Sequence, residues 1–296
     1  MNRTLRACTN QRSLILKQSF PYCARFPEIP APIDRIASEV AFYGLARQVP
    51  ALAAHMPEIL GFAPDDHLAL IEDLGEGSDL LSIYAGASLG AGELEKLCGL
   101  ARELHALPLS PDDTKSLRNT AMRELNHEHI FDIPLRHNNG IDLESTTRGL
   151  SELAADARAD RAYVDGVAAL GEIYLRSDGP ALQHGDFYPG SFLRTERGLM
   201  IIDPEFAFPG PPEFDLSVLI AHLIIAGGEP DSIVDDVLAA YGASIDRRLL
   251  EGLAACELMR RTLGVSRLAV DVDLDGKRAW IECSRAWVHA WIRASR

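Results

Sequence analysis

Apolar positions change their spacing along this chain. Near the start they fall in short runs, at residues 3–8 and 12–18 and again at 59–62 and 68–71. Each pair of runs flanks a polar turn, Thr9-Asn10-Gln11 in the first and Pro64-Asp65-Asp66 in the second, which predicts two antiparallel hairpins. Between the hairpins, behind a proline-rich connector over 27–32, Ile36, Val40, Tyr43 and Leu45 recur near one face of a helix over 33–48. Residues 50–57 read as a helix end and loop. From Gly92 onward, recurrence at three and four residues predicts helices over 92–106, around 120–127 and over 143–176. Short strands interrupt at 181–206. Pro211-Pro212 then starts a very apolar helix through Ile225, and helices over 230–242, 246–268 and 277–294 complete the chain. A strand-rich beginning and a helical remainder predict an α+β protein, with a domain of 1–74 and a larger one of 75–296.

Composition bounds the function without naming it. The 296 residues are 47% hydrophobic and 24% charged, ordinary for a soluble globular enzyme. The net charge of −14 argues against nucleic acid or an anionic membrane surface as the main partner. Five cysteines, odd in number and without C-x-x-C spacing, suit free thiols in a reducing compartment. No signal peptide is recognisable and the longest apolar stretch is too short to span a bilayer, so a cytoplasmic location is expected.

The candidate chemistry lies where the strands interrupt the helices. Gln183-His184-Gly185-Asp186 leads to Ser191, and the apolar run Leu199-Met200-Ile201-Ile202 leads to Asp203-Pro204-Glu205. Two strands joined by a loop can bring Asp186, Asp203 and Glu205 together. Phosphoryl transfer needs that layout: one carboxylate orients and deprotonates the acceptor hydroxyl, and others hold the Mg²⁺ that bridges the phosphates. Order and spacing follow the protein-kinase pattern H-R-D-x-x-x-x-N then D-F-G, with Ser191 in place of Asn and Pro-Glu in place of Phe-Gly. Lys17 closes an apolar run, as the ATP-contacting lysine of a kinase does, and Glu39 on the following helix suits its partner. Glu72-Asp73-Leu74-Gly75 stands where a kinase hinge would meet the adenine ring.

Several separated pieces together resemble the methylthioribose kinases, within the aminoglycoside and choline phosphotransferase superfamily of protein-kinase-like fold. They are Ser13–Gln18, Arg35-Ile36-Ala37-Ser38-Glu39, Ile71-Glu72-Asp73-Leu74, His184-Gly185-Asp186, Gly190-Ser191, Asp203-Pro204-Glu205-Phe206-Ala207-Phe208, and Glu257-Leu258-Met259-Arg260-Arg261 before Leu263-Gly264. The resemblance implies a bilobal kinase-like fold, with a shortened antiparallel-sheet small lobe and a mostly helical large lobe. It implies ATP and Mg²⁺ as cofactors, Asp186 as catalytic base, and Asp203, Glu205 and Ser191 around the metal. Lys17 would meet the ATP phosphates with Glu39 steadying it, Glu72 and Leu74 would lie at the nucleotide, and Arg260 and Arg261 would face the sugar. The expected partner is a small acceptor, best a methylthioribose-like sugar, with amino-sugar and choline-type alcohols as alternatives. Met1 falls where the family's glycine-containing phosphate loop should already have ended. Either the chain is shortened at its true start or the phosphates are less covered. A kinase-like binding or regulatory protein without turnover is the alternative this motivates.

Two further patterns stand apart. Asp271-Val272-Asp273-Leu274-Asp275-Gly276 with Glu282 fits the calcium-loop formula, although it sits at an expected helix connection where the same residues serve as turn and cap. Trp280, Trp287 and Trp291 mark one helix stripe, which core or interface packing explains and which leaves a homodimer open.

Overall fold

In the first hairpin, β1 (Arg3–Cys8) and β2 (Ser13–Gln18) pair antiparallel with Thr4 opposite Lys17. The coordinates are a computed structural model that describes every residue except Gln11, Arg25, Ser177, Arg267, Ala269 and Arg296. Gln11 of the expected turn, and Arg267 of the expected 246–268 helix, thus lie outside the described residues. The expected connector over 27–32 is in part a strand: β3 (Tyr22–Cys23) pairs with β4 (Phe26–Pro30), a two-stranded ribbon in which proline removes no interior ladder bond. Then come α1 (Arg35–Ala46), α2 (Pro50–Ala53), β5 (Ile59–Ala63), β6 (Leu68–Glu72) and β7 (Gly77–Asp79). Helices α3 (Glu93–His105), α4 (Pro111–Ser116), α5 (Thr120–His127), α6 (Leu150–Ala159) and α7 (Arg161–Arg176) follow. Strands β8 (Ala181–Gln183), β9 (Phe192–Thr195), β10 (Gly198–Ile201) and β11 (Phe208–Gly210) carry the motif region. The chain ends in α8 (Glu213–Ile225), α9 (Pro230–Tyr241), α10 (Arg247–Leu263) and α11 (Leu274–Ala294).

The single helix expected over 143–176 is two. Gly149 enters α6 in the left-handed region at φ 86°, and Asp160 breaks the run with an extended ψ of 90°. Its carboxylate accepts the Tyr163 N–H at 3.1 Å and the Arg285 Nη2–H at 2.7 Å, so side-chain bonds replace helical ones at the break. α10 stops at Leu263 because Gly264 turns extended, with its N–H still bonded to the Arg260 carbonyl.

The chain divides into two compact units, and neither is a continuous stretch. The first holds Met1–Leu80, Leu100–Leu125 and Asp178–Gly210; the second holds Leu81–Gly99, Asn126–Ser177 and Pro211–Arg296. In the first, a four-stranded sheet of order β1-β2-β6-β5 packs α1 through Ile36, Ala69 and Ile71, joined by Ile15, Val40 and Ile59. In the second, every residue of α8 is buried, and α10 and α11 pack along each other. Burying a helix on all sides demands apolar residues on all sides, which is why 213–225 reads as nearly continuous hydrophobicity. α11 also crosses α7 closely at Gly166, where a Cβ would come within 2.5 Å of Val288.

Candidate active site

Strand alternation puts Lys17 on the same face of β2 as Ile15, the face that packs toward α1. On α1, Glu39 lies one turn past Ile36 and one before Tyr43, and all three are buried. Lysine and glutamate therefore meet inside the apolar interface, with Nζ 2.7 Å from the Glu39 carboxylate. Burial lowers the pKa of an ammonium, but Asp203 and Glu39 outweigh it, and Lys17 is held above its ordinary value. Burial pushes the Glu39 carboxyl up to about 7, and the lysine pulls against that rise.

The motif loops are brought side by side by strand pairing. β8 pairs with β11 through Gln183 opposite Phe208, and β9 pairs with β10 through Phe192 opposite Ile201. The chain runs β8, loop, β9, β10, loop, β11, so the loops 184–191 and 202–207 both span the gap between the two strand pairs. His184, fully buried, ties them together. Its Nε2–H donates to the Ile202 carbonyl at 2.9 Å, while Nδ1 accepts the Asp186 N–H at 3.3 Å. Gly185 is required here: its φ is +83°, and a Cβ would sit 2.1 Å from the Phe206 carbonyl oxygen. The Ser191 hydroxyl donates to the Asp186 carbonyl at 2.7 Å, closing the loop around a half-buried Asp186.

Asp203 takes the left-handed conformation at φ 63°, unusual for a residue other than glycine. Its side chain keeps 55% of its surface open, and Oδ1 lies 2.5 Å from Lys17 Nζ. Desolvation would raise its pKa; the lysine ammonium more than offsets this, so the carboxyl ends below its ordinary value. Glu205 is buried. Its Oε1 receives the Met1 amino group at 3.1 Å, and Oε2 lies 3.3 Å from Arg35 Nε. That guanidinium N–H is not aimed at the oxygen, so Oε2 lacks a hydrogen-bond donor among the described residues.

Lys17, Glu39, Asp186, Ser191, Asp203 and Glu205 all belong to the first compact unit, as do Glu72 and Leu74. Glu72 spends its side chain locally, accepting from Arg197 Nη1 at 2.6 Å and from the Glu58 N–H at 3.0 Å, and its own N–H donates to the Glu58 carbonyl at 2.8 Å. Leu74 is half-buried beside Asp73. Arg260 and Arg261 belong to the second unit, where both are held by Glu257.

Other residues act on the site without having been singled out for it. Asn119, left-handed at φ 49°, donates from Nδ2 to the carbonyls of Glu205 and Ala207, each at 3.0 Å, and clamps the turn after Asp203. Buried Arg35 donates to the carbonyls of Phe20 and Pro32 beside Glu205. A charged residue opening the apolar face of α1 was the available signal for Arg35; Asn119 offered none. The calcium formula does not describe what forms at 271–282. Asp273 caps α11, its carboxylate accepting the Gly276 N–H at 2.9 Å, and Asp275 and Glu282 are helical. Helix rise separates Leu274 from Glu282 by roughly 12 Å, too far to close a loop around an ion.

The sequence pattern of the phosphotransferase enzyme family matches residues 2–254. The chain belongs to that family. Within it, this phosphotransferase is similar to the methylthioribose kinase of Bacillus velezensis, 26% identical over 90% of this chain and 75% of that protein. The methylthioribose kinase of Bacillus pumilus is 28% identical over the same shares, 90% and 75%. Among solved structures, a spectinomycin phosphotransferase crystallised with ADP and spectinomycin superposes with a TM-score of 0.56, at 12% identity over 99% of this chain and 90% of that one. A choline kinase of Streptococcus pneumoniae gives 0.52, at 13% identity over 97% and 89%. These likenesses show the kinase-like phosphotransferase fold, with its small antiparallel sheet and helical remainder. No helix among the described residues is long and apolar enough to cross a membrane.

Proposed function

We propose that this phosphotransferase moves the γ-phosphoryl group of ATP to a hydroxyl of a small neutral sugar, best a methylthioribose-like one. The observation that carries the reading is the Lys17 ammonium seated between Glu39 and Asp203, beside a loop that holds Asp186 by its own backbone. Relatives named as methylthioribose kinases, similar over 90% of this chain and 75% of their own length, support the acceptor.

In this reading Lys17 meets the nucleotide phosphates, with Glu39 fixing its position, and the backbone of 72–74 meets the base. Asp186 accepts the proton of the acceptor hydroxyl as its oxygen bonds to the γ-phosphorus and the bond to the bridging β–γ oxygen breaks, releasing ADP. Asp203, Glu205 and Ser191 would hold Mg²⁺. An open carboxylate, a buried carboxylate oxygen lacking a donor and a hydroxyl are hard oxygen ligands that suit it. Among the described residues no three His, Cys, Asp or Glu side chains form a metal cluster, so phosphate and water oxygens would complete the shell, as is usual for this ion. When bound, Mg²⁺ neutralises charge on the β- and γ-phosphates. Arg260 and Arg261 would face the acceptor, where planar donors suit hydroxyls and growing phosphate charge.

The test is ATP-dependent phosphorylation of methylthioribose by the unaltered protein and by Asp186→Asn. The variant is expected to lose turnover by about 10³-fold or more while still binding ATP. Equal turnover by both would sink the assignment of Asp186, and no product from the unaltered protein would sink the acceptor.

A further inference from the structure

In the second compact unit a buried chain of hydrogen bonds runs from Tyr84 to the paired arginines. The Tyr84 hydroxyl lies 2.5 Å from His222 Nδ1, and His222 Nε2 lies 3.1 Å from Glu257 Oε1. Oε1 also accepts from Arg261 Nε at 2.7 Å, and Oε2 accepts from Arg260 Nε. His222 is fully buried and Glu257 is 2% exposed.

Donor and acceptor roles follow from chemistry. A carboxylate flanked by two guanidinia stays ionised: burial alone would raise its pKa, but Arg260, Arg261 and His222 hold it well below the ordinary range. It can then only accept, so His222 Nε2 carries the hydrogen. Burial, with the nearby Arg261 charge, lowers the His222 pKa to about 4, so the imidazole is neutral and Nδ1 accepts from the Tyr84 hydroxyl. The chain thus has one direction, Tyr84 to His222 to Glu257. Glu257 holds both guanidinia by their Nε edges and so sets where their terminal nitrogens stand. Arg260 Nη1 reaches Asn126 Oδ1 at 3.4 Å, and Arg261 Nη1 reaches the Ser266 carbonyl at 3.1 Å. α8 supplies the histidine and α10 the glutamate and arginines, so two packed helices fix the geometry.

We propose that Glu257 is a positioning residue for acceptor recognition: it orients Arg260 and Arg261 toward the sugar, and Tyr84 holds it in place through His222. This rests on the reading that the two arginines face the acceptor. Structural arginines would need only neutralisation. A carboxylate that engages one edge of each, braced by a directional relay, aligns both planes at once.

The experiment is steady-state kinetics with ATP and methylthioribose on Tyr84→Phe, Glu257→Gln, Arg260→Lys and Arg261→Lys, each checked for folding by thermal unfolding. Loss of a charge-assisted bond in Glu257→Gln is expected to raise the acceptor KM about tenfold or more, with the ATP KM within about twofold. Tyr84→Phe should move the acceptor KM the same way by about threefold, since it removes one neutral hydrogen bond. If both fold with an unchanged acceptor KM while the lysine variants raise it, the positioning role is overturned and the acceptor site stands. If the lysine variants leave the acceptor KM unchanged, or the unaltered protein does not turn over methylthioribose, the site reading falls and this proposal with it. Should Glu257→Gln fail to fold, Tyr84→Phe alone decides, because deleting one hydroxyl from a half-buried ring leaves the packing intact.

Discussion

Lys17 and Asp203 lie 186 positions apart in the chain, and their charged atoms stand 2.5 Å apart. A buried ammonium shared by a buried and an open carboxylate stores the electrostatic balance of the proposed nucleotide site. Removing any one of the three groups upsets the other two.

Lys17→Met should abolish most turnover and also destabilise the fold, by about 3 kcal/mol or more, because Glu39 is left buried without its cation. The pH dependence has a definite sign. Glu39 already binds its proton more tightly in the folded chain, with a pKa of about 7 against an ordinary 4.5. A raised carboxylate pKa stabilises the fold fully below 4.5, and the contribution is lost as pH rises through 7. The variant should therefore lose more stability relative to wild type at pH 8 than at pH 5, read by denaturant unfolding. Adding Glu39→Gln should restore stability but not activity; a double variant as unstable as Lys17→Met would contradict the pairing.

Gly185→Ala places a methyl group where the Phe206 carbonyl oxygen stands, in a backbone region that side chains disfavour. The loops carrying Asp186 and Asp203 should be forced apart. Expected outcomes are a loss of about 1–3 kcal/mol in stability and a larger loss in kcat than in ATP binding. Full activity would mean that this close approach is dispensable.

Asp203→Asn tests the proposed metal site with little disturbance of the backbone, since asparagine tolerates the left-handed conformation seen at φ 63°. Mg-ATP at about 100 times its Kd should stabilise the unaltered protein by about 2.7 kcal/mol. That thermal shift should shrink on adding EDTA and be mostly absent in the variant. A variant shift equal to wild type, still sensitive to EDTA, would remove Asp203 from the metal's ligands.

His222 carries the second pH signature. Its pKa falls from 6.5 in the unfolded chain to about 4 in the folded one, so between those values unfolding takes up a proton. The His222 contribution to stability should be fully present above pH 6.5 and be lost as pH drops toward 4, with a slope for this group of up to about 1.4 kcal/mol per pH unit. His222→Gln should flatten the curve in that window. An unchanged slope would mean that the imidazole is not the group that titrates.

Much of the candidate site is legible in the chain because its parts are local signals. Lysine at the end of an apolar strand, H-G-D before a serine, and an acidic turn after Leu199-Met200-Ile201-Ile202 each announce themselves within a few residues. Asn119 did not, because its work is done by a side-chain amide reaching backbone carbonyls 86 and 88 residues away. Glu257 opens the run Glu257-Leu258-Met259-Arg260-Arg261, and nothing in its neighbourhood names His222 as its partner. The calcium-loop pattern shows the converse: its spacing fits the formula, but helix formation from Leu274 takes the same residues as cap and first turns.

The sequence by itself determined the α+β character, the family, the hairpins and the residue types available for phosphoryl transfer, because alternation, helical recurrence and short motifs are properties of neighbouring residues. Tertiary structure alone decided that strand pairing lays the two motif loops side by side. It also decided that one lysine is shared between Glu39 and Asp203, and that a single buried carboxylate holds both arginines. Each depends on which distant segments exclude water together, and desolvated charge is stable only where packing supplies its partner.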